Sequence, residues 1–165
     1  MKKLLVVLLI AFVFGGCSSE ETFERIEDVQ LLPVSSLNYQ VTLMLPDGMT
    51  QETVSQDQET LYMCDDYVLT IRTERGGDMD RTVRQTTGYG KDDLSMIHTK
   101  RDGFDCWECA WTTAGELGLQ ICRTVILDDG QEHHVVSVMA DASIGGELFD
   151  QWNHVLGSVT LTRTG

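Results

Sequence analysis

The chain has 165 residues, and its 12 basic and 26 acidic side chains give it a formal charge of −14 at pH 7. So acidic a surface repels phosphate backbones and anionic headgroups, which excludes DNA, RNA and heparin-like partners. The length suits one domain that is large enough to bury a core.

The first residues have the layout of a bacterial export signal. Lys2 and Lys3 precede an unbroken apolar run from Leu4 to Phe14, which Gly15-Gly16-Cys17 follows. A cysteine directly after small residues resembles a lipoprotein signal, in which the cysteine is lipidated and begins the mature chain. This apolar run is too short to cross a bilayer, which takes about 20 residues.

We therefore predict a signal peptide over residues 1–16, the lipidated Cys17 with a flexible acidic tether over 17–36, and a folded domain over 37–165. The alternatives are ordinary cleavage near Gly15 or Gly16, which leaves a soluble secreted protein, and a cysteine that stands there by chance. A diacylated or triacylated Cys17, carrying palmitate-like chains, supplies the two lipid signals that stable anchoring takes. The expected location is the extracytoplasmic face of the cell membrane, or the outer membrane of a Gram-negative cell.

The first part of the predicted domain alternates strands and turns. Apolar residues alternate over Tyr39–Leu45 and predict a strand, which Pro46-Asp47-Gly48 ends as a turn. Residues 50–60 are polar, and we expect a loop or one helical turn there. Two further strands are predicted over Leu61–Cys64 and Tyr67–Thr73.

A helix is then predicted, because Asp78 suits its N-cap and Gly88 its C-cap. The next segments indicate strands with a meander among them: Ser95–Thr99, Phe104–Thr112, Leu117–Leu127 and His133–Ala140. Apolar residues recur at helical spacing from Ile144 to Leu156 and predict a second helix that Gly157 ends. A short last strand is predicted over Val159–Thr162.

The cysteine count points to disulfides. Four cysteines remain after Cys17, and an even number outside the cytosol favours disulfide bonds. If Gly115-Glu116 is a two-residue hairpin loop, Cys109 faces Cys122 and Glu108 faces Arg123. We therefore predict a Cys109–Cys122 disulfide as the first choice and Cys64–Cys106 as the second.

Several short segments in this order are similar to one fold family: Leu45-Pro46-Asp47-Gly48, Thr87-Gly88-Tyr89, Lys91-Asp92-Asp93-Leu94, Ala110-Trp111 and Val155-Leu156-Gly157-Ser158-Val159. From Leu37 to Leu161 the chain resembles the PsbP-like family, which includes bacterial lipoproteins such as DcrB and a Ran-binding nuclear import factor. The resemblance implies an α+β fold, with one antiparallel sheet of about six strands and helices packed on both faces. The fold hosts binding and accessory roles, and no functional residue carries over from it.

Cys106-Trp107-Glu108-Cys109 is the one motif that suggests chemistry. A redox pair opens a helix, whose N-terminus lowers the pKa of the thiol. Here the residues alternate like a strand, so the two cysteines lie on opposite faces and cannot easily bridge each other or share zinc. We predict no catalytic, cofactor-binding or metal-binding residue, and we interpret the histidines as satisfied or surface groups.

Trp107 and Trp111 share one face of their predicted strand. Trp152 lies on the apolar stripe of the last helix, so the simpler interpretation packs that helix on this face and makes the three rings core. The alternative is that Trp107 and Trp111 form an exposed platform for a sugar ring or a peptide.

The function expected from the sequence is that of a lipid-anchored, non-catalytic envelope lipoprotein. Its expected partners are the membrane, through Cys17, and an envelope protein or a small molecule, and we expect a monomer without a cofactor. Two alternatives stay open: a thiol-disulfide exchange enzyme that uses Cys106 and Cys109, and a purely structural envelope component.

Overall fold

The computed structural model describes residues 39–46, 50–54, 59–64, 66–115 and 118–164. The predicted signal peptide, Cys17, the tether and the Asp47-Gly48 part of the first turn lie outside these residues. The strands are β1 (Tyr39–Thr42), β2 (Thr50–Val54), β3 (Glu59–Met63), β4 (Val68–Arg75), β5 (Met96–Arg101), β6 (Phe104–Gly115), β7 (Gly118–Asp128), β8 (Glu132–Asp141) and β9 (Thr160–Arg163). The helices are α1 (Met79–Thr87) and α2 (Phe149–Gly157), and a short 3₁₀ turn covers Lys91–Asp93.

Seven of the strands form one antiparallel sheet in the order β2-β3-β4-β8-β7-β6-β5. The predicted meander is confirmed, because β6, β7 and β8 are neighbours in the sheet. β1 and β9 pair with each other in a separate two-stranded sheet. Among the described helices, neither is long and apolar enough to cross a bilayer.

The prediction of a loop or helical turn over residues 50–60 is wrong, because β2 occupies Thr50–Val54 and pairs with β3. Its sequence is polar and lacks the apolar alternation that indicates a strand with one buried face. An edge strand has only one neighbour, and threonine and valine suit extended backbone, so the strand forms without that pattern.

The predicted caps of α1 are confirmed. The Asp78 carboxylate accepts a hydrogen bond from the backbone N–H of Arg81 at 3.1 Å. Gly88 has φ of +79°, in the left-handed region that favours glycine, and its N–H donates to the Arg84 carbonyl at 2.9 Å. Both ends of this short helix are therefore satisfied.

The second helix begins later than its apolar repeat suggests. Helix α2 starts at Phe149, and the segment from Ile144 to Leu148 forms turns. Gly145 and Gly146 explain the difference, because glycine is a poor helix former. Gly145 also lies so close to β7 that a Cβ atom there would stand 2.5 Å from the Ile121 side chain.

The sheet buries a core on each face, as the α+β prediction requires. The face under α2, called the α2 face, carries the larger core, which includes Leu69, Cys106, Val125, Leu127, Val136, Val138, Trp152, Val155 and Leu156. The face under α1, called the α1 face, has a smaller core of Val83, Ile126 and Val135, with Met79, Leu94, Met96 and Trp107 packed against it. Trp152 therefore packs on the face opposite Trp107, and the prediction of one core with all three tryptophans is wrong.

Arg101 joins the edge strand β5 to the layer behind it. Its guanidinium donates to the carbonyl oxygens of Leu156, within the last turn of α2, and of Val159, just beyond it, at 2.7 and 3.1 Å. It also forms an ion pair of 2.8 Å with Glu108 on β6. Strand and helix are thus held together by one side chain.

The hairpin register differs from the predicted one. Gly115 pairs with Gly118, so Cys109 lies opposite Thr124 and Cys122 lies opposite Trp111. The predicted Cys109–Cys122 and Glu108–Arg123 pairings are therefore wrong. The partner of each β6 residue therefore lies two positions later in β7 than predicted, which leaves each side chain on its face.

Candidate functional site

Side chains on the α1 face form rows that cross the sheet, because alternate residues of each strand point to the same side. The first, the apolar row, runs from β6 to β4 and consists of Trp111, Cys122, Met139 and Val68. The second, the hydroxyl row, consists of Cys109 followed by Thr124, Ser137 and Thr70. The third row consists of Trp107, Ile126, Val135 and Arg72, and Arg72 on β4 lies directly opposite Glu59 on β3.

Helix α1 covers only part of this face. Val83 packs against Ile126 and Val135 of the third row. Beyond that row, Thr82 Oγ1 and His133 Nδ1 share a hydrogen bond of 2.7 Å. A helix of nine residues is only about 13 Å long. Five residues of the apolar and hydroxyl rows are therefore only half-buried, whereas the other three are buried; the half-buried ones are Trp111, Met139, Val68, Ser137 and Thr70.

A cleft of about 160 Å³ lies over this open part of the sheet. We call it the Trp111 cleft. Its floor comes from the apolar and hydroxyl rows, and Thr86 of α1 lines one side together with Arg72 and Glu59. Trp111, Met139, Thr70 and Ser137 are each half-buried, and so they present part of their surface to the cleft.

The charged end of the cleft carries more acidic than basic side chains. The Arg72 guanidinium donates to Thr86 Oγ1 and pairs with Glu74 at 3.2 Å. Glu59, its direct neighbour on β3, adds a second carboxylate. The arginine is therefore oriented by α1 and its charge is offset by acidic neighbours.

The two tryptophans of the predicted platform have different surroundings. The His98 ring stacks on Trp107 at 3.9 Å with 7° between the planes, and the Lys91 ammonium lies 4.8 Å from the Trp107 ring centroid. The Trp107 ring is therefore already in contact with groups of the protein itself. No such ring or cation partner is found for Trp111 among the described residues.

The carboxylate of Asp105 holds the stack on Trp107 in place. It accepts a hydrogen bond from His98 at 2.9 Å and pairs with Lys100 at 3.4 Å. The hydrogen bond from His98, followed by the one from Lys100, lowers the pKa of Asp105. His98 and Lys100 both belong to β5, the edge strand next to Trp107.

Cys106 and Cys109 lie on opposite faces, as the strand pattern predicts: Cys106 is part of the α2-face core and Cys109 lies in the hydroxyl row. Burial raises the pKa of Cys109 and of Cys122 to about 11, and it also raises the pKa of Cys106. Cys64, Cys106, Cys109 and Cys122 are free thiols, so the part of the chain that the structure describes contains neither predicted disulfide.

The adjacent histidines are buried and face opposite sides of β8. His134 Nε2 lies 3.0 Å from Asp129 Oδ2, and its Nδ1 lies 3.1 Å from Thr73 Oγ1. His133 contacts Thr82 and lies 3.5 Å from Asp128. Both rings are therefore satisfied, as expected from the sequence.

One group of possible metal ligands is present among the described residues: Asp129, Glu132 and His134 bring one ligand atom each to within 4.8 Å of the others. The Asp129 carboxylate already accepts hydrogen bonds from the backbone N–H groups of Gln131 and Glu132, at 2.8 and 2.7 Å. With His134 on its other oxygen, this carboxylate closes the β7–β8 turn. The same carboxylate that offers a possible ligand atom is thus already used within the hairpin turn.

The polar residues of the Trp111 cleft were not singled out from the sequence. A signal was present in β4, where Val68, Thr70 and Arg72 alternate with Leu69 and Ile71. A strand with one apolar face and one mixed face predicts that the mixed face is incompletely covered. The partners on β3 and β8 become known only from the sheet order.

No protein-family model and no curated protein matches the sequence. Several solved structures are similar in fold. PsbP of the cyanobacterium Synechocystis sp. PCC 6803 superposes with a TM-score of 0.56 at 8% identity, over 79% of this chain and 96% of that one. LpqN of Mycobacterium tuberculosis, described as involved in cell envelope biogenesis, has a TM-score of 0.50 at 16% identity, over 76% and 84%.

A protein of Bacteroides thetaiotaomicron has a TM-score of 0.52 at 15% identity, over 74% of this chain and 45% of its own length. The chain therefore spans less than half of that relative. Identities this low establish the architecture and nothing finer. The antiparallel sheet with a helix on each face, and its superposition on the cyanobacterial protein, show that this chain has the PsbP-like fold.

Proposed function

We propose that the protein is a non-catalytic lipoprotein of the cell envelope, anchored through lipids on Cys17, which binds a small ligand in the Trp111 cleft. The observation that carries the binding role is the partly covered α1 face. Trp111 is half-buried there, without a ring partner among the described residues, and hydroxyl groups, Arg72 and Glu59 line the same cleft.

The envelope location is supported by two independent observations. Residues 1–19 have a charged start, an apolar run and a cysteine after two glycines. The fold is shared with LpqN, a protein described as involved in cell envelope biogenesis. The first observation concerns this chain's own export, and the second concerns a protein of the same architecture.

The thiol-exchange alternative is disfavoured by the surroundings of its cysteines. A reactive thiol needs a lowered pKa and access to solvent. Cys106 and Cys109 are buried on opposite faces, and burial raises both of their pKa values. A purely structural role would leave the cleft empty in the cell, and a crosslinking experiment separates that role from binding.

The anchor is tested by intact-mass analysis and membrane fractionation of the full chain expressed in a bacterial host. We expect the wild-type protein to lose residues 1–16, to gain the mass of a lipidated cysteine and to sediment with membranes. Cys17→Ser is the control, and it should carry no lipid. A mature wild-type protein that lacks added lipid would contradict the anchor.

The binding role is tested by placing a photo-crosslinking phenylalanine analogue at position 111 in cells. The matched control is position 112, which is exposed and faces the opposite side of β6. We expect an adduct at position 111 and none at position 112. The absence of an adduct at 111, or equal labelling at both positions, would favour the purely structural role.

A further inference from the structure

We propose that the ligand of the Trp111 cleft is a single neutral sugar ring, with its C–H face on the Trp111 indole and its hydroxyl groups toward the hydroxyl row and the Arg72 end of the cleft. This inference rests on the proposed function, because it takes the cleft to be the binding site. It adds the chemical class of the ligand, which four features of the cleft support.

The size of the cleft limits the ligand to one small ring. Its volume is about 160 Å³. Pockets that enclose drug-sized molecules measure roughly 300–1,000 Å³. An extended peptide or a long acyl chain would therefore leave most of its surface outside the cleft.

The floor requires a ligand that is apolar on one side and polar at one edge. The apolar row offers Trp111, Met139 and Val68, and the adjacent hydroxyl row offers Ser137 and Thr70. The Ser137 hydroxyl shares a hydrogen bond with Thr124 Oγ1 and has a further bonding capacity to offer. A purely apolar ligand would cover the Thr70 hydroxyl without giving it a hydrogen bond, which is unfavourable. A pyranose ring carries both kinds of surface.

The charges of the cleft favour a neutral ligand over an anionic one. Arg72 already pairs with Glu74 and lies opposite Glu59, so two carboxylates are close to the guanidinium. A phosphate or carboxylate would meet these acidic groups and the net charge of −14 on the chain. Hydroxyl groups suit such a pair, because a carboxylate accepts from them and a guanidinium donates to them.

The contacts that the two indole rings make with other side chains indicate which tryptophan would bind the sugar. Trp107 already contacts His98 and Lys91, whereas no ring or cation partner is found for Trp111 among the described residues. An aromatic ring next to open polar groups presents the amphipathic surface that a sugar face covers. Trp111 is therefore the platform, and Trp107 serves as the internal control.

The inference is tested by titrating the full-length lipoprotein, in a detergent that contains no sugar, with glucose, galactose, mannose and N-acetylglucosamine. Binding is followed by saturation-transfer NMR and by tryptophan fluorescence. We expect at least one of these sugars to bind with a dissociation constant on the order of 1 mM, a change in tryptophan emission, and weaker binding of the matching sugar phosphate.

The variants separate stacking from folding. Trp111→Ala should weaken binding about tenfold or more, which corresponds to about 1.4 kcal/mol, whereas Trp111→Phe should retain part of it and Trp107→Phe most of it. The urea midpoint of each variant shows whether it folds. A second arm compares the free monosaccharide with a short glycan that ends in the same residue, which distinguishes a soluble sugar from an envelope polysaccharide.

Three outcomes would overturn the inference: no neutral sugar binds, the sugar phosphate binds more tightly, or folded Trp111→Ala binds like the wild type. If a crosslinked adduct forms at position 111 and no sugar binds, the proposed function stands and the sugar assignment falls. If neither a crosslinked adduct nor sugar binding is observed, both the proposed function and the sugar assignment are contradicted. A dimer that covers the cleft, detected by native mass spectrometry, would also replace the sugar assignment.

Discussion

Asp129 is the residue whose ionisation matters most to the β7–β8 turn. Burial by itself raises the pKa of this carboxyl, but the hydrogen bond from His134 and those from the N–H groups of Glu132 and Gln131 outweigh burial, so its pKa is lowered. A lowered folded-state pKa means that the charged form stabilises the fold above the unfolded pKa of about 3.9. That contribution is lost as pH falls through the folded-state pKa.

We predict that Asp129→Asn lowers the free energy of unfolding at pH 7 by about 1.5–3 kcal/mol, because it removes the charge-assisted hydrogen bonds. The difference between variant and wild type should shrink as pH falls below about 3.9. Urea unfolding at several pH values measures both effects. Asp66→Asn, in an exposed bend, is the control and should change little. A deficit that stays constant down to pH 2 would contradict the assigned role.

The thiols give a second prediction for single residues. In the folded protein at about pH 8, a limiting amount of iodoacetamide should alkylate the half-buried Cys64 before Cys106, Cys109 and Cys122. The other three should react only after urea unfolds the chain, because burial raises their pKa values. Peptide mass spectrometry gives the order. Early labelling of Cys109, or a Cys109–Cys122 linkage, would revive the alternatives derived from the sequence.

At the scale of secondary-structure elements, helix α2 contributes to the larger core chiefly through the Trp152 side chain. Trp152 is 1% exposed, packs edge-on against Tyr67 with 6.0 Å between the ring centroids, and belongs to the larger core. Phe149 begins the same helix and is 54% exposed. The two aromatic residues therefore form a matched pair, with one buried and one on the surface.

We predict that Trp152→Ala lowers the free energy of unfolding by about 3–5 kcal/mol, the range for truncating a buried large aromatic side chain. Phe149→Ala should cost about 0.5–1 kcal/mol, chiefly through its contact with the Arg123 guanidinium. Urea midpoints measured at the same slope compare the two. Equal losses would mean that α2 is not docked as described.

The meander shows how far sequence patterns lead at this scale. Alternation and turn chemistry predicted its strands and the faces of Cys106, Trp107 and Trp111. They did not predict the register, because Gly115 and Gly118 are both suited to a tight hairpin. The register also depends on the rows that β7 builds with β8, which the sequence of the β6–β7 hairpin alone does not specify.

At the scale of the whole molecule, the acidic surface opposes the compact state. We predict that the melting temperature at pH 7 rises when NaCl increases from about 10 mM to about 0.5 M, since salt screens repulsion among the carboxylates. Differential scanning calorimetry measures the effect. The rise should be smaller near the isoelectric point of about 4.4, where net charge is small. A lower melting temperature in salt would mean that ion pairs such as Arg101–Glu108 dominate.

The fold class was predictable because helical and strand periodicities are strong and independent of long-range detail. The cleft was not, since it depends on which strands become neighbours and on where α1 stops. Trp111 was identified by its strand face alone. Arg72 and Glu59 join it only because β4 lies between β3 and β8 in the sheet.

The hydrogen bonds from Arg101 to the carbonyl groups of Leu156 and Val159 affect how neighbouring copies of the protein can exchange strands. β5 is an edge strand of the sheet, and strands of other chains can pair with an exposed edge strand. Because peeling β5 away would also strip α2 of these bonds, the outermost strand resists exchange with adjacent molecules. A single guanidinium therefore opposes strand swapping between copies of the protein at this edge.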